Sequence, residues 1–331
     1  MGAPLPRLTP TGGGIEALAT PGAFCQRARN VMRTHRFCVL LLLVVSTAAC
    51  RRDIPPLSLK PTASPPLRLE FLPPADSVLT ETVKSSVRRD GTPGSQEAEM
   101  TTVTRFTADQ GGWLLTQRVT QARYSRDGAP VETRVDDVLT RFPLRVRLAA
   151  DGTYVQVVDP EAARVALQAV APEGQELLAL ERFFSPESLE ARTRDEWEMR
   201  YGNLYGQGLS PGRSTYVVGS VPLGGQEVTF VLERTFTGTL LTEYGEVVVL
   251  TLRCLDAPVD KMTAEVRQML WREEYPPLTA GVQCEGEQLL GKGRFLPVRR
   301  GLTLRATVGG ETWTWTTQSA LESLQAPEEE R

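Results

Sequence analysis

The sequence predicts an α+β fold built on a large, curved antiparallel β-sheet, an incomplete barrel, with helices packed on one face. Three observations carry that reading. Segments rich in Thr, Val and Arg alternate apolar with polar residues at period two, as half-buried strands do. Turn-forming pairs such as Asp127-Gly128 separate those segments at hairpin spacing. The order of elements is strands, helices, strands, helix, strands, which suits an antiparallel sheet with segregated helices rather than a parallel βαβ fold.

The elements follow in order. Leu67–Leu72 and Val78–Arg88 read as strands, ended by the turn Asp90-Gly91-Thr92-Pro93-Gly94. Glu99–Thr107 and Trp113–Tyr124 flank Asp109-Gln110-Gly111-Gly112. After Asp127-Gly128 the meander continues through Val131–Leu139, Leu144–Ala149 and Tyr154–Val158. The period then changes. Asp159-Pro160-Glu161 is a helix start, because Asp caps free N–H groups and Pro suits the first turn; Val165, Leu167 and Val170 supply its apolar side. Gln175–Phe184 reads as a second helix. Ser185-Pro186-Glu187 opens a third that reaches Tyr201, with Leu189 and Trp197 as core residues. Strands return at Ser214–Val221, Glu227–Thr235 and Glu246–Leu255. Asp260–Arg272 is a helix with Met262, Val266, Met269 and Leu270 on one face. Leu278–Cys284, Gly293–Val298, Leu302–Val308 and Thr312–Thr317 complete the strands. The expected organisation is one domain over residues 67–320, with two similar halves at about 67–205 and 206–320 as a suspicion unsupported by any repeat period, and a disordered tail at 321–331.

The N-terminal region carries an address. Residues 1–31 are rich in Gly and read as a removed extension or as the product of a mis-assigned start, with Met32 the alternative first residue. Over residues 32–49, Arg33 and Arg36 form a positive n-region, Phe37–Val45 an apolar h-region, and Thr47-Ala48-Ala49 a run of small residues before Cys50. About nine apolar residues suit a cleaved signal; a membrane-spanning helix needs roughly twenty. The end of this segment resembles the lipobox of bacterial lipoproteins, with Thr47 standing where leucine is usual. That resemblance implies cleavage between Ala49 and Cys50, acylation of Cys50 with palmitate-type chains, and attachment to a membrane of the cell envelope. The other reading is an ordinary signal peptide with Cys50 incidental. Residues 50–66, with Pro55, Pro56, Pro61, Pro65 and Pro66, form a stiff tether. Asp does not follow Cys50, which by resemblance to enterobacterial sorting favours the outer membrane; the periplasmic or surface face stays open.

Composition narrows the chemistry. The single histidine is His35, inside the signal, so the mature chain has no Ser-His-Asp or Cys-His catalysis and no His-ligated metal. Cys254 and Cys284 remain after Cys50; in an oxidising compartment they form a disulfide, the alternative being two buried thiols. Of 37 basic residues five precede Cys50, and of 40 acidic residues only Glu16 does, which leaves the mature part at net −7. That excess of acid argues against a nucleic-acid partner. No G-x-S-x-G elbow, S-x-x-K motif or EF-hand loop is present. The glycines of 206–212 have the wrong spacing for a dinucleotide fingerprint and read as a connector. No catalytic residue, metal site or cofactor is therefore expected. The acidic residues Asp136, Asp137, Asp195, Glu196, Glu198, Glu273 and Glu274 could serve a carboxylate-based hydrolase if two faced each other across a cleft. On a strand, Trp313 and Trp315 point to one face; they are either an aromatic floor for a ligand or partner, or a layer of core.

In signal, length and element order the chain resembles the lipoprotein-carrier superfamily of bacterial envelopes, and other β-rich envelope lipoproteins. The resemblance implies an incomplete barrel wrapped over helices around an apolar cavity. The leading expectation is thus a non-enzymatic, lipid-anchored envelope protein that binds an apolar ligand or a protein partner. The alternatives are an assembly scaffold without a cavity, and the carboxylate hydrolase.

Overall fold

The computed structural model describes residues 66–131, 134–170, 174–272 and 277–326. The signal segment, Cys50, the tether up to residue 65, Glu273, Glu274 and the last five residues lie outside the described residues.

Three long strands open the sheet: β2 (Val78–Arg89), β3 (Ser95–Asp109) and β4 (Gly112–Arg126), preceded by the short β1 (Leu67–Arg68). The turn after β4 shows why they form hairpins. Asp127 and Gly128 both take positive φ, at 56° and 77°, with Arg126 opposite Ala129. Two left-handed residues match the right-handed twist of paired strands, and Asp and Gly tolerate that conformation. The chain continues through β5 (Ala129–Val131), α1 (Arg134–Arg141), β6 (Leu144–Leu148) and β7 (Tyr154–Val157). Three helices follow: α2 (Glu161–Val170), α3 (Gly174–Phe183) and α4 (Pro186–Tyr201). After the short β8 (Gly208–Leu209), a second meander runs through β9 (Ser214–Leu223), β10 (Gln226–Thr242) and β11 (Gly245–Cys254). A 3-10 turn at Val259–Lys261 and α5 (Ala264–Arg272) precede β12 (Gln283–Gly291), β13 (Pro297–Val308) and β14 (Glu311–Gln325).

Twelve strands form one sheet in the order β7-β6-β4-β3-β2-β14-β13-β12-β11-β10-β9, with β5 paired to β4. Every ladder is antiparallel. The two meanders run outward from a central seam, where β14 pairs with β2 over Trp313–Gln325 and Val78–Arg89. The sheet is not closed; β7 and β9 are its edges.

Helix α4 sits between those edges. Ser185 caps it, its Oγ accepting from the Ser188 N–H at 3.2 Å, and Pro186 follows in the first turn. It packs against both β7 and β9. One helix can touch strands at opposite ends of a sheet only if the sheet curves around it, so the predicted incomplete barrel corresponds to an open, curved sheet. The core runs from Leu69 to Leu321 and takes Trp197, Met199 and Tyr201 of α4 together with strands of both meanders. A smaller cluster joins α1, α2 and α3 through Val138, Phe142, Leu167 and Leu180.

Several expectations need correction. The strand expected at Leu278–Cys284 lies at Gln283–Gly291, and the one expected from Gly293 begins only at Pro297. The helices are not all on one face. Val217 and Leu232 share a cluster with Trp197 of α4, whereas their neighbours Val218 and Val231 pack with Met262 and with Val266 of α5. Successive strand residues point to opposite faces, so α5 covers the outer face of β9 and β10. Residues 134–141 are helix rather than strand: Val135, Val138, Leu139 and Phe142 are spaced by three and four, and Val138 and Phe142 are buried. Finally, β14 runs on to Gln325, so residues 321–325 belong to the sheet rather than to a tail.

Candidate functional site

The inner face of the sheet can be read outward from one ion pair. Arg200, at the end of α4, donates to Glu81 Oε1 on β2 at 2.6 Å and to Ser319 Oγ on β14 at 3.0 Å. Glu81 and Ser319 therefore point inward, and every second residue along their strands does too. On β2 these are Val83, Ser85 and Val87; cross-strand partners on β3 are Met100 and Ala98, and on β4 Ala122 and Tyr124. On β14 they are Thr317 and Trp315, opposite Ser85 and Val87. All of these side chains are only half-buried. Next to them on β13 the inward residues Leu302, Leu304 and Ala306 are fully buried. The inner face thus has a closed half under the C-terminal strands, and an open trough of small and apolar side chains along the far halves of β2, β3, β4 and β14.

The other end of the inner face is filled with aromatic rings. Phe295 lies 4.8 Å from Phe71, 5.0 Å from Tyr201 and 5.3 Å from Phe106, centroid to centroid, and stacks on Trp197 at 6.0 Å. Trp197 Nε1 donates to Gly152 O at 3.0 Å, so the ring keeps its polar atom satisfied while buried. Phe71 enters from the segment after β1, which brings the N-terminal end of the described chain into the interior.

Between the trough and the rings lies a cluster of buried charge. Arg234 on β10 is 1% exposed and Arg300 on β13 6% exposed. Arg234 Nη2 donates to the Gly202 carbonyl just beyond α4. Gln288 on β12, opposite Arg300, donates to Arg200 O at 2.9 Å. Burial pushes the Arg234 guanidinium down to about 9 and that of Arg300 to about 10; the charge of Arg300 adds to the first shift and that of Arg200 to the second. Both values lie well above neutral, so all three guanidiniums are charged at pH 7. Arg200 is the exception in direction: burial, the largest single influence, disfavours its charge, but Glu81, Tyr201 and Glu196 together outweigh burial and push the group up. Burial also pushes Tyr201 up to about 12 and Tyr205 well above its ordinary value, so neither phenol ionises near neutral pH.

The residues singled out in the sequence fall as follows. Cys254 and Cys284 are bonded, with Cα atoms 5.0 Å apart, joining β11 to β12. Trp315 borders the trough. Trp313 lies against the β9–β10 turn, where a Cβ on Gly224 would come within 2.8 Å of its Nε1. Cys50 and Ala49 lie outside the described residues. Among the acidic residues, Glu196 pairs with Arg200 at 3.8 Å. The carboxyl of the exposed Asp195 is raised from its ordinary value, first by partial desolvation and then by the charge of Glu227. Among the described residues no group of three His, Cys, Asp or Glu could hold a metal ion, and no helix is long and apolar enough to cross a membrane. Glu81, Arg200, Arg234, Arg300 and Tyr205 were not foreseen. For Arg234 the signal is a charge beside the apolar Phe230-Val231-Leu232, blurred by the neighbouring Glu233.

No protein-family model and no curated protein matches the sequence. Among solved structures, a lipovitellin structure concerned with lipid–protein interactions is similar over 79% of this chain at 10% identity and a TM-score of 0.41; this chain spans 26% of the lipovitellin chain. A Bacteroides fragilis protein described as exported, with a YMCC-like fold, is similar over 78% of this chain and 99% of its own, at 10% identity and a TM-score of 0.26. A DUF1329 family protein from Desulfovibrio piger is similar over 75% of this chain and 86% of its own, at 9% identity and a TM-score of 0.23.

Proposed function

We propose that this is a non-enzymatic, lipid-anchored protein of the bacterial envelope whose inner sheet face holds an apolar ligand. The observation that carries the reading is the trough. Val83, Val87, Met100, Ala98, Ala122 and Trp315 share one face of four adjacent strands and are only half-buried. Scattered apolar exposure needs no explanation, but apolar side chains gathered on one face, here interrupted by Ser85 and Thr317, form the kind of surface where ligands bind. Met and Trp suit such a surface, since one adapts its shape and the other offers a large rigid area. The disulfide fits an oxidising compartment, and the signal segment supplies the address.

Two measurements test this. The full chain carrying Cys50→Ser, free of any acyl group, is titrated with the neutral fluorescent probe N-phenyl-1-naphthylamine. Saturable one-site binding that Met100→Glu or Val87→Glu weakens tenfold or more is expected; absence of saturable binding rules the reading out. For the anchor, labelled palmitate should enter the chain and be lost in Cys50→Ser. Label that persists in that variant would place the acyl group elsewhere.

A further inference from the structure

Two of the three buried guanidiniums keep nitrogens without partners. Among the described residues, Nε and Nη1 of Arg234 and Nε and Nη2 of Arg300 have no hydrogen-bond acceptor, and the buried Tyr205 hydroxyl has none either. Arg200 is satisfied by Glu81 and Ser319. Arg234 and Arg300 repel each other, and Arg200 repels Arg300. On the other side, Glu198 attracts Arg234, while Glu196 and Glu81 attract Arg300. A buried cation is tolerated when it is paired and fully hydrogen-bonded; unpaired N–H groups on a desolvated guanidinium are costly. Four open donor atoms on two guanidiniums form a receptor for a small anion, because Arg forks match the oxygens of carboxylates and phosphates.

The surroundings say what carries the anion. Arg300 sits opposite Ser319; two residues further, Leu302 sits opposite Thr317, and two further again Leu304 sits opposite Trp315. Arg300 is therefore about 13 Å along β13 from Leu304, at roughly 3.3 Å per residue, and Leu304 lies opposite Trp315 at the edge of the trough. The inner face passes from buried cation to apolar surface without crossing another charged side chain on β13 or β14. That is the profile of an amphiphile with an acidic head. Resting on the apolar-ligand reading, we propose that Arg234 and Arg300, with the Tyr205 hydroxyl as an added donor, bind the carboxylate or phosphate head of an amphiphile whose chain lies along the trough.

The test compares heads with the tail held constant. The full chain with Cys50→Ser is titrated with oleate, with oleyl alcohol and with inorganic phosphate, alongside the same chain carrying Arg300→Met or Arg234→Met. Oleate is expected to bind at least tenfold more tightly than oleyl alcohol. In either variant that ratio should fall to near one, with oleyl alcohol affinity changed less than twofold. Equal binding of oleate and oleyl alcohol to the unsubstituted arginines would overturn the head site while leaving the apolar-ligand reading standing. Arginine-dependent binding of phosphate without either amphiphile would overturn it in favour of a free anion, and failure of all three probes would overturn both readings. The ligand series needs no variant and decides the matter even where a variant misfolds. A second readout is thermal: without ligand, Arg300→Met should melt at or above the temperature of the parent chain. A clear drop would mean that Arg300 already has its partner within the protein, which contradicts the proposal.

Discussion

At the residue scale, the buried pair of Glu81 and Arg200 is the electrostatic hinge of the interior. Glu81 is the carboxylate that pairs with Arg200, at 2.6 Å, with both side chains almost wholly buried. Glu81→Gln keeps the shape and removes the charge, leaving Arg200 beside Arg300 with only the exposed Glu196 at 3.8 Å as counter-ion. Removing one partner of a buried pair costs about 3–5 kcal/mol, and chemical denaturation should show a loss of that size; a loss below about 1 kcal/mol would mean that the pair is not desolvated. Asp195 gives a test of opposite sign. Its folded pKa lies above the unfolded value near 3.8, so its charged form is disfavoured in the native state. Asp195→Asn should therefore raise the melting temperature at pH 7, and the gain should fade as the pH falls through the raised folded pKa and be gone below about 3.8, where the carboxyl is protonated in both states. A gain that persists at pH 3 would have another origin. These residues were the least legible in the sequence, for a physical reason. In Val231-Leu232-Glu233-Arg234-Thr235-Phe236 either parity of the strand puts a charged or polar side chain on each face. Alternation alone could not say that Arg234 points inward. The disulfide was legible, because cysteine chemistry depends on compartment and number more than on local pattern.

At the element scale, α4 and the strand pair β11–β12 decide how the sheet is held. Gly219 on β9 lets α4 approach: a Cβ there would lie 2.8 Å from Phe230 Cζ and 3.1 Å from Met199 Sδ. Gly219→Val should cost about 1–3 kcal/mol, as overpacking does, and Met199→Ala introduced beside it should recover part of the loss. If the second change recovers nothing, the crowding is not at the helix. The Cys254–Cys284 bridge closes a loop with a sequence separation of 30. Replacing both cysteines by Ala should cost about 3–4 kcal/mol on the chain-entropy account, read as a lower denaturant midpoint with a steeper slope, because the uncrosslinked unfolded chain exposes more surface. Most strands were legible because their apolar alternation is clean. Two failures had different causes. For α1, the Thr and Val residues around 131–135 suggested a strand, while the spacing of Val135, Val138, Leu139 and Phe142 is helical and tertiary packing followed the spacing. For β12, the inward positions Gly286 and Gln288 are not apolar, so no hydrophobic pattern marked the strand. Gln288 is polar there because its inner-face neighbours are Arg300 and Arg200. The pattern failed beside the charged cluster on which the proposed head site is built.

At the scale of the whole molecule, the fold is an open sheet kept curved by one helix. The chain meets itself at the β2–β14 seam, and each meander ends on an edge strand that rests on α4. Trp197 is where the arrangement is most exposed to a single change. Its ring packs on Phe71, Tyr201 and Phe295, and its indole N–H reaches Gly152 in the turn before β7. Trp197→Ala should cost about 3–5 kcal/mol, the range for removing a large buried aromatic side chain. The location of the damage is the sharper test. If α4 couples the two edges, hydrogen exchange should speed up in β7 and in β9 together, while the β2–β14 seam remains the slowest to exchange. These edges lie at opposite ends of the sheet order, so their joint response can come only through the helix between them. Faster exchange at β7 alone would mean that each edge is held locally. In that case the curvature of the trough would belong to the strands themselves rather than to α4.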